Sequence, residues 1–191
     1  MTGRTEQAIL IDTLALHGVS DPESKLEDFY AALARAADKL RERMRIVGRR
    51  LPGAKEAVVA LTDYSVVQTV VTGNIKPIAM TKLEVFDLAK GLDFEVGGYG
   101  SDGDTRPPLI RQAWLRAQRK YGRTFEPDGI VVIGDTPLDV AAAREVGIRT
   151  VGVATGSSTV EDLIAAQASI VLPDLTDTEA VIRAVCRVTL A

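Results

Sequence analysis

From residue 51 onward, short β-branched or apolar runs alternate with stretches whose apolar residues recur every three or four positions. The runs predict strands at 66–71, 94–98, 129–133, 150–153 and 169–172, with 129–133 the strongest and 94–98 the weakest. Between and after them, helical spacing predicts helices at 75–88, 107–121, 138–146, 158–167 and 177–188, with Gly147 as a helix stop. Strands alternating with helices of this length imply an α/β fold: a parallel sheet covered by helices on both faces. The first 48 residues follow a different pattern. Ala8, Ile9, Leu10, Ile11 and Leu14 recur at helical spacing up to His17-Gly18. Ser20-Asp21-Pro22-Glu23 then supplies a cap and a first-turn proline. Leu26, Phe29, Tyr30, Leu33 and Ala37 form a stripe along a long helix that fades near Ile46-Val47-Gly48. Two domains are expected, a helical segment at 1–48 and an α/β core at 49–191.

Composition narrows the class. The chain has 191 residues, 46% hydrophobic and 26% charged, which is an ordinary globular balance. With a formal net charge of −3 and no dominant basic face in the sequence, nothing suggests a nucleic acid as partner. The densest basic stretch, from Lys39 to Arg50, reads as a solvated helix face. No apolar run reaches the ~20 residues that span a bilayer, and the N-terminus has no signal-peptide core. The single cysteine, Cys186, reads as a small core hydrophobe on the last helix, and a lone thiol fits the cytoplasm. The single histidine, His17, reads as a helix end.

Chemistry should sit where parallel strands end. After 66–71 comes Thr72-Gly73-Asn74, a hydroxyl and free amides at the start of a helix, suited to phosphate oxygens. After 94–98 comes a turn that leads to Arg106-Pro107-Pro108, a fixed cation for phosphate charge. After 129–133 comes Gly134-Asp135-Thr136-Pro137-Leu138-Asp139. Asp135 there suits a hard oxygen ligand for Mg²⁺, with Asp139 steadying it from the same side. Ala154-Thr155-Gly156-Ser157-Ser158 follows the next strand. Taken singly, each has a bland reading: a turn, a surface arginine, a helix cap. Taken together, they are expected to converge as a phosphate site with room for a divalent metal.

These motifs resemble the haloacid dehalogenase (HAD) superfamily, in its phosphoglycolate phosphatase-like branch. Val70-Val71-Thr72-Gly73-Asn74 is similar to the family's second motif, Arg106-Pro107-Pro108 to the Arg variant of its third, and 131–139 to its fourth. Leu51-Pro52-Gly53, Gly147-Ile148 and Thr155-Gly156 add to the likeness. The resemblance implies a HAD-like parallel sheet with a helical cap and a Mg²⁺-dependent phosphatase acting on a small phosphorylated metabolite. Thr72, Gly73, Asn74 and Arg106 would bind phosphate, Asp135 the metal, and Asp139 would support them.

The family's first motif, Asp-x-Asp-Gly-Thr, is not in the chain. Its first Asp attacks phosphorus and its second moves the proton. Asp12, in Ile11-Asp12-Thr13-Leu14, has no paired acid and lies in helical spacing. Asp102-Gly103-Asp104 follows a different strand and is expected to make turn or cap contacts. The central first strand and its nucleophile are therefore expected to be missing, through an upstream boundary or true degeneration, leaving this chain inactive. A non-catalytic phosphate- or partner-binding protein of the same fold is the alternative. An interrupted sheet also favours chain exchange between copies, and so a homo-oligomer.

Overall fold

A computed structural model describes residues 4–186. Twelve elements carry the architecture of those residues: α1 (Glu6–Leu16), α2 (Leu26–Lys39), α3 (Arg41–Val47), α4 (Ala54–Leu61), α5 (Lys76–Val85), α6 (Arg106–Tyr121), β1 (Val131–Gly134), α7 (Pro137–Val146), β2 (Arg149–Val153), α8 (Val160–Ala165), β3 (Ile170–Leu172) and α9 (Thr178–Cys186). The fold is α/β with a small parallel sheet. Residues 1–3 of the expected helical segment, and 187 and 188 of the expected last helix, lie outside the described residues. No described helix is long and apolar enough to cross a membrane.

Contacts divide the chain into two compact units. The first contains the residues up to Arg49, Thr69–Ala89 and Asp93–Arg116. The second contains Arg50–Gln68, Lys90–Leu92 and everything from Ala117 onward, so the division falls inside α6.

In the first unit, Tyr30, Leu33 and Ala37 of the stripe on α2 do what their spacing predicts, whereas Phe29 is exposed. Ala37 is buried with Ile75 and Ile78, and Tyr30, Leu33 and Met44 pack against them. The expected long helix is in fact two. It breaks at Leu40, whose N–H turns back to the carbonyls of Ala36, Ala37 and Asp38, and α3 follows at once. Arg41 fixes this corner by bonding Asp38 at 2.8 Å and Glu84 of α5 at 2.7 Å. Neither glycine nor proline marks the break, so helical spacing alone ran through it. Arg43, Arg45, Arg49 and Arg50 of the basic stretch are solvent-exposed. His17 closes α1, as expected, donating its N–H back into the last turn.

Two expected strands do not form. Of 66–71, only Val71 makes a parallel bridge, to Gly98. Thr72 N–H donates to Gly98 O, Gly98 N–H to Val70 O and Gly100 N–H to Asn74 O, at 2.9–3.0 Å. The pairing cannot run further back, because 94–96 curls into a 3₁₀ turn with the Asp93 carboxylate capping the Glu95 N–H. The β-branched run therefore has the composition of a strand without a continuous ladder partner.

The second unit holds the sheet, in the order β1-β2-β3, all parallel. Val131–Gly134 pair in register with Arg149–Gly152, and Val151–Val153 with Ile170–Leu172. The helices α7 and α8 form the crossovers, as the alternation predicts. Central β2 is buried from Thr150 to Val153. Its Val151 and Val153 pack with Ala184 of α9. Helix α4, not expected from the sequence, buries Ala57 and Leu61 against Val181 and Ile182 of α9, and Cys186 joins this cluster as a core side chain. Burial pushes the Cys186 thiol up from its ordinary pKa, against a smaller opposing pull from Arg149. Among the described residues strand β1 pairs on one side only, and its Ile133 is 42% exposed. An all-apolar run would be expected on a central strand rather than on an edge.

Candidate functional site

The sequence-predicted residues fall in both units. Thr72, Gly73, Asn74 and Arg106 belong to the first, Asp135 and Asp139 to the second.

In the first unit, the backbone leaves Val71, turns at 72–74 and enters α5, with Ile75 as N-cap. The Thr72 hydroxyl oxygen accepts from the Asn74 N–H at 3.2 Å and from the Asn74 side-chain amide at 2.9 Å. The Asn74 carbonyl oxygen in turn accepts from the Lys82 ammonium at 2.6 Å. The Ile75 N–H is satisfied by the Glu6 carboxylate at 2.6 Å, an acidic group at a helix N-terminus. The Glu6 N–H donates to Gly73 O at 2.8 Å and the Gln7 N–H to Gly100 O at 3.2 Å. Thr5, fully buried, caps α1 by accepting from the Ala8 N–H. Burial pushes the Glu6 carboxyl above its ordinary value, opposed by the Ile75 hydrogen bond and the Lys82 charge. Arg106 is the first residue of α6 and is half-buried.

Lys82 and Glu6 were not anticipated. Lys82 had a weak signal, since eight residues from Asn74 is little more than two helical turns and helix side chains lean toward the N-terminus. Glu6 had none, because its partner lies 69 residues away.

Two of the acids set aside from the chemistry, Asp12 and Asp102, are occupied. Asp12 lies on α1, exposed, in an ion pair with Arg4. Asp102 accepts both guanidinium arms of Arg116, at 2.6 and 2.7 Å, and the Tyr99 N–H at 2.8 Å. Burial pushes its carboxyl up, but the bonds from Arg116 and Tyr99 outweigh burial and hold it below the ordinary carboxylate range. The Tyr99 hydroxyl donates to Phe94 O, and burial pushes its pKa up to about 12. Asp102 therefore holds a turn together, as expected, whereas Asp104, of which the same was expected, is exposed and makes no hydrogen bond or ion pair among the described residues.

In the second unit, β1 ends at Gly134 and delivers Asp135. Thr136 caps α7 in a capping box with Asp139. The Thr136 hydroxyl donates to the Asp139 carboxylate at 2.7 Å and accepts the Asp139 N–H at 3.2 Å, while the Thr136 N–H donates to the same carboxylate at 3.2 Å. Asp139 is 6% exposed. Its carboxylate is thus held by the helix N-terminus it caps. Asp135 differs: among the described residues its carboxylate makes no hydrogen bond or ion pair. Two glycines make room for these acids. A Cβ at Gly134 would lie 2.5 Å from Asp139 Cβ, and one at Gly156 would overlap an Asp135 carboxylate oxygen.

The donor set fits one ligand of a magnesium shell. Among the described residues, no group of three or more His, Cys, Asp or Glu side chains is gathered for a metal. A Mg²⁺ ion takes one or two carboxylates and completes its octahedron with water and phosphate oxygens, so Asp135 meets part of that requirement.

Residues 107–178 match the family model described as HAD-hydrolase-like. The fold is shared with several solved structures. A hydrolase from Pseudomonas syringae superposes with a TM-score of 0.61 at 24% identity, covering 94% of this chain and 78% of the other. A predicted phosphatase from Clostridium acetobutylicum gives 0.63 at 21% identity, covering 91% and 77%. A phosphonoacetaldehyde hydrolase-like protein from Oleispira antarctica gives 0.64 at 17% identity, covering 97% and 77%. No curated protein matches the chain by sequence. The family model and the fold agree with the HAD-like resemblance seen in the motifs.

Proposed function

We propose that this HAD-like chain carries the phosphate- and metal-holding parts of a Mg²⁺-dependent phosphatase for a small phosphorylated metabolite. The observation that carries the reading is Asp135: a carboxylate at the end of a parallel strand, given space by Gly156 and engaged with no other described side chain. By contrast, the carboxylates of Asp102 and Asp139 are each engaged in hydrogen bonds, to Arg116 and to Thr136.

Under this reading the Thr72 hydroxyl and the Gly73 amide hold phosphate oxygens, and Asn74, expected to bind phosphate directly, contributes by donating its N–H and side-chain amide to the Thr72 hydroxyl. Arg106 neutralises phosphate charge and the charge that grows at the transition state. Asp135 ligates Mg²⁺, and Asp139 supports it indirectly by fixing the turn. The metal, when bound, would withdraw charge from the phosphoryl group. The helical segment at 1–48 would shield the reaction from water and select the substrate. The intact reaction would pass through an aspartyl-phosphate, and the chain contains no Asp-x-Asp-Gly-Thr to form it. Residues 1–191 alone are accordingly expected to turn over negligible phosphate ester.

A second reading, a non-catalytic phosphate- or partner-binding protein, is favoured by one observation. The single Asp-x-Asp in the sequence has its first carboxylate locked to Arg116.

The test is hydrolysis of p-nitrophenyl phosphate with Mg²⁺, by residues 1–191 and by the same chain preceded by an Asp-x-Asp-Gly-Thr strand. The phosphatase reading expects activity only in the extended chain, lost on Asp135→Ala. Robust activity of residues 1–191 that disappears with Asp135→Ala would contradict the assigned absence of a nucleophile. An inert extended chain would favour the binding protein.

A further inference from the structure

The contacts around Thr72 make its hydroxyl directional. Lys82 is exposed on α5 and donates to the Asn74 carbonyl oxygen at 2.6 Å. An ammonium has donors and no acceptor, so it dictates which end of the Asn74 amide faces it. The NH₂ group is left to face Thr72, and it donates to the hydroxyl oxygen at 2.9 Å. The Asn74 backbone N–H approaches the same oxygen at 3.2 Å. Both lone pairs of the Thr72 hydroxyl are then engaged, and its remaining capacity is to donate its proton. A hydroxyl in that state is complementary to a ligand oxygen that only accepts. Were the amide to flip, its carbonyl would take the Thr72 proton and turn a lone pair toward the ligand.

We propose that Lys82 is a positioning residue that, through Asn74, sets the Thr72 hydroxyl as an obligate donor and so tunes the turn for a phosphoryl oxyanion. This rests on the assignment of 72–74 as a phosphate-binding turn. Lys82 does not touch the ligand in this scheme. The other charged group at the turn is Glu6, on the Ile75 N–H, and Lys82 partly offsets its charge.

The experiment titrates residues 1–191 with orthophosphate by calorimetry and follows the Asn74 side-chain NH₂ resonances by NMR. Lys82→Met keeps the alkyl stem and removes the donor. It should weaken phosphate binding roughly five- to tenfold, move the Asn74 NH₂ resonances toward solvent-exposed values, and leave the melting temperature unchanged. Lys82→Arg should restore both. Asn74→Ala should weaken binding as much as Lys82→Met, and the double variant no further, because the two residues act in series. A pure charge effect would instead leave Asn74→Ala unaffected and would overturn the proposal. Wild-type binding matched by Lys82→Met overturns it too, as does an unmoved Asn74 resonance, with the phosphate turn itself left standing. A wild-type chain that binds no orthophosphate overturns the phosphate-turn assignment, and the proposal with it.

Discussion

Two turns that lead into helices invite comparison, 72–75 in the first unit and 134–139 in the second. The second is stabilised locally. Thr136 and Asp139 satisfy each other within three residues, and Asp135 is left outside that exchange. The first is stabilised from a distance: Lys82 comes from two turns down α5, and Glu6 lies 69 residues before the Ile75 N–H it accepts from. A turn that caps itself can present one acid and stay folded without help. A turn held by remote groups is only as well formed as the contacts that bring them in. The geometry of the first turn should therefore respond to substitutions far away in sequence, and the stability of the second to substitutions within its own six residues.

The largest expected effect lies beyond the first turn, at the ion pair that closes 97–102. Arg116→Met strands the Asp102 carboxylate, whose side chain is 12% exposed, and should cost about 3 kcal/mol in chemical denaturation. Because Asp102 is held below its ordinary pKa in the folded state, its contribution is present above an unfolded value near ~3.9 and is lost as pH falls through the depressed folded value. The gap between wild type and Arg116→Met should close in that acid window and stay open at neutral pH.

Next is Gly134→Ala, which drives a Cβ into Asp139. With that side chain pinned by Thr136, a loss of about 1–3 kcal/mol is expected, read from the denaturation midpoint. Thr136→Ala removes one half of the capping box and should cost about 1 kcal/mol. If Gly134→Ala and Thr136→Ala are strictly additive, the two do not share one locally closed turn.

The smallest effect is Glu6→Gln. The amide keeps an acceptor for the Ile75 N–H and removes a charge that burial disfavours. A carboxyl raised in the folded state weakens the fold once it ionises, so stability should rise as pH falls through the raised value toward the unfolded one near ~4.3. Glu6→Gln should match or exceed wild type by a few tenths of a kcal/mol at neutral pH, after solvent screening, and the difference should vanish in acid. A large loss on Glu6→Gln would mean that the ionised form is required at the first turn.

What the sequence revealed follows the same division. The Gly147 stop of α7 is a local signal, and the helix ends where it places it, while the Thr136–Asp139 capping box, equally local, is recognised only in the structure. Parallel pairing of 131–134, 149–153 and 170–172 follows from apolar runs separated by helix-length crossovers. Residues 66–71 misled because β propensity reports fitness for a ladder, not the presence of a partner, and among the described residues only Val71 bridges one. Helix α4 went unseen because Ala54–Leu61 is short and lacks a side-chain N-cap bond. It is held instead by Val181 and Ile182, more than a hundred residues on. The same physics hid the first turn's supports: Thr72, Asn74 and Arg106 can be nominated from position and chemistry, whereas Glu6 becomes visible only when the chain is folded.

The central claim is that the 72–75 turn takes phosphate and Asp135 takes Mg²⁺. Its most direct measurement is a residue-resolved NMR titration of residues 1–191 with orthophosphate, without and then with Mg²⁺. The account predicts that orthophosphate shifts the amides of Thr72, Gly73 and Asn74 and the Arg106 guanidinium. It predicts that Mg²⁺ shifts Asp135 and Gly156, and that Asp135→Ala abolishes the metal response alone. Saturating orthophosphate that leaves 72–74 unmoved, or a Mg²⁺ response that survives Asp135→Ala, would contradict it.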